Sequence, residues 1–178
     1  MKKKKQNKVR KINSLLLVIL AAAFIIGAIA IPKGLFTKPD SILESASNRP
    51  NMSLTPLVKD LGNVSQTKPP VSTFFDIANN GQADLIIGGF ATSCGCTSAS
   101  IVYKGVEGPK FSMPGHSSNP PANWSFALPA GEKAQIKVIY DPNVHKDFRG
   151  DAIREINIFS NDPVEPIGKV RIELTQVD

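Results

Sequence analysis

Beyond residue 52, hydrophobic and polar residues alternate with the period of β-strands. Val71, Thr73, Phe75 and Ile77 alternate with Ser72, Phe74 and Asp76. Ile136, Val138 and Tyr140 alternate with Gln135, Lys137 and Ile139, and Val170, Ile172 and Leu174 alternate with Lys169, Arg171, Glu173 and Thr175. Successive strand side chains point to opposite faces, so each segment buries one face and wets the other. Leu85-Ile86-Ile87 and Ile156-Asn157-Ile158-Phe159 read as further short strands. Turn residues separate them at Asn79-Asn80-Gly81, Pro129-Ala130-Gly131-Glu132, Asp141-Pro142 and Asn161-Asp162-Pro163. No long amphipathic helix interrupts the series. The pattern predicts an all-β domain over 52–178, an immunoglobulin-like antiparallel β-sandwich of about seven strands.

One stretch breaks this rhythm. Residues 105–123 hold Gly108-Pro109, Pro114-Gly115, Ser117-Ser118 and Pro120-Pro121, too long and too proline-rich for a hairpin turn. It reads as a loop inserted into the sandwich. Trp124, Phe126 and Leu128 follow at alternate positions, where the chain re-enters the core. An aromatic residue that contacts a partner is the other reading of Trp124.

The N-terminal pattern is of another kind. Residues 1–14 form a basic region with Lys2 to Lys5, Lys8, Arg10 and Lys11. An uncharged apolar run from Leu15 to Ile31 follows and stops at Pro32. At ~1.5 Å per residue it spans roughly 25 Å, slightly short of a ~30 Å hydrocarbon core. Residues 15–32 therefore read as one transmembrane helix, a signal anchor, with the basic end in the cytoplasm and the rest outside. Ala28-Ile29-Ala30 has the small-x-small form of a cleavage site, so a cleaved signal peptide and a secreted domain are the alternative. Residues 33–51 are polar, with Pro39, Pro50 and several serines, and read as a stalk. Within them Ser41-Ile42-Leu43-Glu44 has the spacing of a helix capping box.

Charge changes the picture once this segment is set apart. The chain carries a net charge of +6, and the basic residues named in the first segment exceed that excess. The remainder is close to neutral, so the high isoelectric point belongs to the targeting segment. A nucleic-acid partner, which needs a basic face on the folded part, is not expected.

The candidate chemistry sits in Ser93-Cys94-Gly95-Cys96-Thr97, which holds both cysteines of the chain. On an extended strand, residues i and i+2 lie roughly 6.5–7 Å apart at Cα. A disulfide prefers about 5.5–6 Å. Bridging the pair needs a bend, which Gly95 permits. Such a small ring is strained and easily reduced, which suits a redox role. A metal grip is the competing reading. The insertion offers Met113 and His116, and His145 lies in another loop. Cys94, Cys96, Met113 and His116 together suit copper as Cu(I), whereas zinc wants a fuller cysteine and histidine set. Packing of the two sulfurs at a strand end, without further chemistry, is the third reading. A catalytic dyad of Cys94 and His116 lacks an orienting residue and an oxyanion hole. No P-loop, dinucleotide fingerprint or nucleophile elbow occurs, and the sequence reads as non-enzymatic.

The order of motifs is also distinctive. Asp60-Leu61-Gly62-Asn63-Val64 is followed by Phe74-Phe75-x-Ile77-x-Asn79-x-Gly81, Leu85-x-Ile87 and the Ser-Cys-Gly-Cys-Thr stretch. Ala130-Gly131-Glu132, the strand to Tyr140 and Ser160-Asn161-Asp162-Pro163 come later. From Ser53 to Val177 this closely resembles the bacterial domain of unknown function 1573 family, which is similar to immunoglobulin-like modules related to the ASPM, SPD-2 and hydin domains. Leu61 stands where that family commonly has an aromatic residue, and the segment between Thr97 and Ala130 is longer than usual. The resemblance implies an immunoglobulin-like fold and an extracytoplasmic setting, and no reaction.

Two functions are expected on these grounds. One is a membrane-anchored extracytoplasmic module that binds an envelope protein or has a structural role, since open sandwiches expose strand edges. The other is a metal-handling or thiol-redox protein that acts through Cys94 and Cys96.

Overall fold

The computed structural model describes residues 48–116, 120 and 123–178. The basic region, the apolar run, the stalk up to residue 47 and the Ser41–Glu44 capping box lie outside the described residues. Among the described residues no helix is long and apolar enough to cross a membrane.

Among the described residues ten strands form two sheets. They are β1 (Met52–Thr55), β2 (Val58–Ser65), β3 (Val71–Asn79), β4 (Leu85–Thr92), β5 (Thr97–Tyr103), β6 (Val106–Glu107), β7 (Phe126–Leu128), β8 (Lys133–Tyr140), β9 (Gly150–Ser160) and β10 (Ile167–Val177). One sheet has the order β1-β3-β8-β5-β6 and the other β2-β10-β9-β4-β7. The alternating residues face inward as their periodicity requires. Phe75, Ile77, Ile136, Val138 and Tyr140 of the first sheet are buried with Leu85, Ile87, Ile156, Ile158, Val170, Ile172 and Leu174 of the second. Phe74, between inward neighbours, is exposed on the outer face.

The sandwich differs from the sequence expectation in two respects. It has ten strands where about seven were expected. The additional ones carry little hydrophobic signal. The buried side chains of β5 are Thr97, Ala99, Ser100 and Ile101, small or polar for the most part, and β2 buries only Val64. The second difference is that β2 runs parallel to β10, so the second sheet is mixed. The reason lies in the chain path. Pro56, which has no N–H to give a ladder, separates β1 in one sheet from β2 in the other. The chain crosses between sheets without reversing and therefore keeps its direction.

One end of the sandwich is held by buried amide and carboxylate groups. Asn79 is fully buried, and its side chain makes four hydrogen bonds. Its Nδ2 donates to the carbonyls of Ala83 (2.8 Å) and Leu128 (3.0 Å), and its Oδ1 accepts from Asn51 N (3.2 Å) and Gly81 N (3.0 Å). A Cβ at position 81 would run into the Arg49 carbonyl, which is why glycine follows at this spacing. Asp162 is also buried. Its Oδ2 accepts from Met52 N (2.7 Å) and its Oδ1 from Val164 N (2.8 Å) and Glu165 N (3.3 Å). Burial alone would raise its pKa, but these three N–H donors outweigh it and hold the carboxyl below the usual aspartate range. Neighbouring Asn161 bonds the backbone of Ile86 and Asp84, tying the β9–β10 turn to the start of β4.

The described residues 105–116 of the inserted segment are more ordered than their composition suggests. Its first residues form β6, where Glu107 accepts from Lys137 Nζ and Ser100 Oγ, both at 2.8 Å. These two donors hold the Glu107 carboxyl below its ordinary pKa. Phe111 then bridges to Ala99 and is buried edge-on against Phe90 and Trp124, with ring centroids 5.5 and 5.0 Å away. Trp124 is half-buried against the core, just before β7, in agreement with the core reading.

Two tests follow from the polar end. Asn79→Ala strands two buried carbonyls and two N–H groups and is expected to cost about 3 kcal/mol in urea denaturation. Asp162→Asn is expected to cost about 2 kcal/mol at pH 7. Because the folded pKa of Asp162 is depressed, its stabilisation is present above the unfolded pKa of about 3.9 and fades as pH falls through the folded value. The gap between wild type and Asp162→Asn should therefore close on acidification.

Candidate functional site

The opposite end of the sandwich carries the cysteines. β4 ends at Thr92 and β5 begins at Thr97, so Ser93–Cys96 forms the turn between strands of different sheets. Thr97 N donates to the Cys94 carbonyl (3.1 Å) and closes the turn. The buried Thr92 hydroxyl reaches the carbonyls of Cys94 (2.9 Å) and Thr97 (3.0 Å). Ser93 is tied to β9 by Ser93 N to Glu155 O (3.0 Å) and Glu155 N to Ser93 Oγ (2.9 Å). Asp141 N donates to the Cys96 carbonyl (2.8 Å). The bend brings the Cα atoms of Cys94 and Cys96 to 5.3 Å, and the two sulfurs are joined as a disulfide.

Each sulfur has its own surroundings. Cys94 is half-buried, and its Sγ lies 3.1 Å from Nε2 of the exposed His145. Cys96 is only 2% exposed, and its Sγ accepts from Arg154 Nε (3.1 Å), with the Thr97 hydroxyl at 3.7 Å. Arg154 occupies an inward position on β9, in step with Ala152, Ile156 and Ile158. Its guanidinium lies 5.9 Å from the ring centres of both Tyr140 and Phe148. These aromatic faces suit a cation at the edge of a core. Burial pushes the Tyr140 phenol above its ordinary pKa, with Arg154 acting against that. Tyr140 stays neutral and donates its O–H to Gln176 Oε1.

Gln176 in turn positions the loop that carries His145. Its Nε2 lies 3.2 Å from the carbonyl of Pro142 and 3.4 Å from that of His145. An open cleft of about 620 Å³ borders this loop, lined by residues 143–148 and Arg154. Two of its lining residues, His145 and Arg154, are the ones that contact the two sulfurs.

Among the described residues, the cysteine, histidine and carboxylate ligand atoms that gather are those of Cys94, Cys96 and His145, all within 4.8 Å of one another. His116 is placed elsewhere. Its ring lies over the middle of the turn, where a Cβ on Gly95 would be 3.3 Å from Nδ1. The Met113 carbonyl accepts from His116 N (3.1 Å). The insertion thus reaches the cysteine turn, while the histidine against a sulfur comes from the β8–β9 loop. Arg154 was not expected from sequence, although an arginine inside the apolar series Ala152, Ile156, Ile158 marks the position.

The fold and this turn define an immunoglobulin-like β-sandwich with a cysteine pair at one pole. Residues 52–109 match the family described as Protein of unknown function (DUF1573). A protein of unknown function from Porphyromonas gingivalis W83 has a similar fold, with a TM-score of 0.52 and 17% identity over 73% of this chain and 48% of its own. The chain thus spans about half the length of that protein. The ASH / PapD-like domain of human CEP192 matches with a TM-score of 0.46 and 10% identity, over 83% of this chain and 94% of its own. No curated protein matches the sequence.

Gln176→Leu tests whether the site is held from beneath. It removes the donor to Pro142 and His145 and leaves the Tyr140 hydroxyl unpaired. The expected cost is about 2 kcal/mol, with faster amide exchange in 142–148 than in β8.

Proposed function

We propose that the chain is a single-pass protein of the bacterial envelope, with its N-terminus in the cytoplasm and its immunoglobulin-like module outside. There Cys94 and Cys96 exchange disulfides with a thiol-bearing envelope protein. The basic residues 1–14 and the apolar run after them support the placement. One observation carries the chemistry: an imidazole and a guanidinium each lie 3.1 Å from one of the two sulfurs.

The asymmetry assigns a direction to the exchange. A partner thiol enters beside His145, whose imidazole takes its proton. The thiolate attacks the half-buried Cys94 Sγ, a partner–Cys94 disulfide forms, and the Cys94–Cys96 bond breaks. The electron pair leaves on Cys96 Sγ, where the Arg154 N–H and positive charge stabilise the thiolate. A second partner thiolate attacks the partner sulfur of the mixed disulfide and releases Cys94 as thiolate. The partner dithiol is oxidised by two electrons and the pair is reduced by two. The reverse sequence reduces a partner disulfide.

The test is equilibration of the full-length chain in glutathione buffers, with thiols counted by alkylation and mass. Half-reduction above about −300 mV, the range below which structural disulfides fall, is expected. A pair that stays oxidised throughout overturns the exchange reading and leaves a binding module with a stapled turn. Arg154→Met removes the stabiliser of the reduced form, so the equilibrium should move about tenfold toward the disulfide, or 30 mV. The anchor has its own check in the intact mass of the native protein. A mature chain beginning at Ile31 would sink it.

A further inference from the structure

We infer that the reduced form of this site captures a soft monovalent cation, Cu(I), through Cys94 Sγ, Cys96 Sγ and His145 Nε2. The inference rests on the exchange reading, because the disulfide must open first. The reductant is a partner dithiol, which becomes a disulfide as Cys94 and Cys96 become thiols. Binding then exchanges two thiol protons for one Cu(I).

Three features support the site. The first is reach. The three ligand atoms already lie within 4.8 Å of one another, and they come from two separate loops that the fold brings together. Metal–sulfur bonds of ~2.3 Å and metal–nitrogen bonds of ~2.0 Å place ligand atoms up to about 4 Å apart, a small adjustment once the sulfurs part. The second is donor type and number. Two thiolates and one imidazole make a soft three-coordinate set that suits Cu(I), whereas structural zinc sites take four ligands. The third is charge. Two thiolates and one Cu(I) leave a single negative charge, and Arg154 lies 3.1 Å from Cys96 Sγ to balance it. Cys96 is buried and His145 exposed, so the cation enters and leaves on the imidazole side, along the cleft. Exchange with a partner disulfide, which takes up two electrons and becomes a dithiol as the Cys94–Cys96 bond re-forms, removes two of the three ligands and releases the ion as Cu(I). The site is therefore gated by the redox state of its own ligands.

His116 and Met113 are the competitors for the third position. His116 lies over Gly95 and is not in the ligand group.

The experiment is an anaerobic titration of the full-length chain with Cu(I), in excess reductant and against the chromogenic chelator bicinchoninate. Thiols are counted in the same sample. One Cu(I) per chain is expected, with an X-ray absorption edge and shell of two sulfurs and one nitrogen. His145→Ala should weaken binding by at least about tenfold, while His116→Ala and Met113→Leu leave it unchanged. Cys94→Ser should abolish the competition while circular dichroism still shows the folded sandwich. Two free thiols with no copper taken from the chelator overturn this inference and leave the exchange reading standing. Binding that survives His145→Ala but falls with His116→Ala overturns the ligand assignment. Absence of free thiols under reductant overturns both readings together.

Discussion

The sandwich depends on satisfying the backbone where strands end. Two apolar sheet faces can close only if the carbonyls and N–H groups at the poles are not buried without partners, each of which would cost about 1–3 kcal/mol. At one pole the side chain of Asn79 meets this requirement with two donors and two acceptors used at once. It joins the segment before β1, the turn after β3 and the end of β7. Asp162 does the same for β1 and the β9–β10 turn. The polar motif residues at this end are thus cross-links of the scaffold.

The other pole is closed differently. There the backbone is bonded by Thr92, Ser93, Asp141 and Gln176, and Cys94 Sγ also accepts from Cys96 N (3.3 Å). An arginine directed toward a core is costly unless its charge is engaged. Arg154 meets Cys96 Sγ, two aromatic faces and a backbone carbonyl. Under the proposed exchange, opening the disulfide would leave charge on the sulfur beneath it, which the guanidinium is placed to meet. Structural polar groups thus gather at one end, and the disulfide, His145 and Arg154 at the other.

Sequence periodicity reveals most of the core and little of the site. Phe75, Ile136, Ile172 and their alternate neighbours declare their faces because one side of each strand is apolar and the other wet. β5 escapes notice because Thr97, Ala99 and Ser100 are buried without being strongly hydrophobic. The parallel β2 escapes because the direction of a strand after a sheet switch depends on chain path, to which alternation is blind. At the site, the cysteine pair is evident from spacing alone. The pairing of His145 with Cys94 spans 51 residues and arises from the packing of the β4–β5 turn against the β8–β9 loop. Nothing local distinguishes His145 from His116, since both are single histidines in polar loops.

The path of the chain into the domain has a geometric result. The polypeptide arrives through Arg49 and Asn51, which bond the turn at Asn79–Gln82. β4 then carries the chain the length of the sandwich, eight residues or about 25 Å, before the cysteines appear. The length of the sandwich thus separates the entry of the described chain from its sulfur atoms. Residue 48 and Cys94 therefore lie at opposite poles of the sandwich.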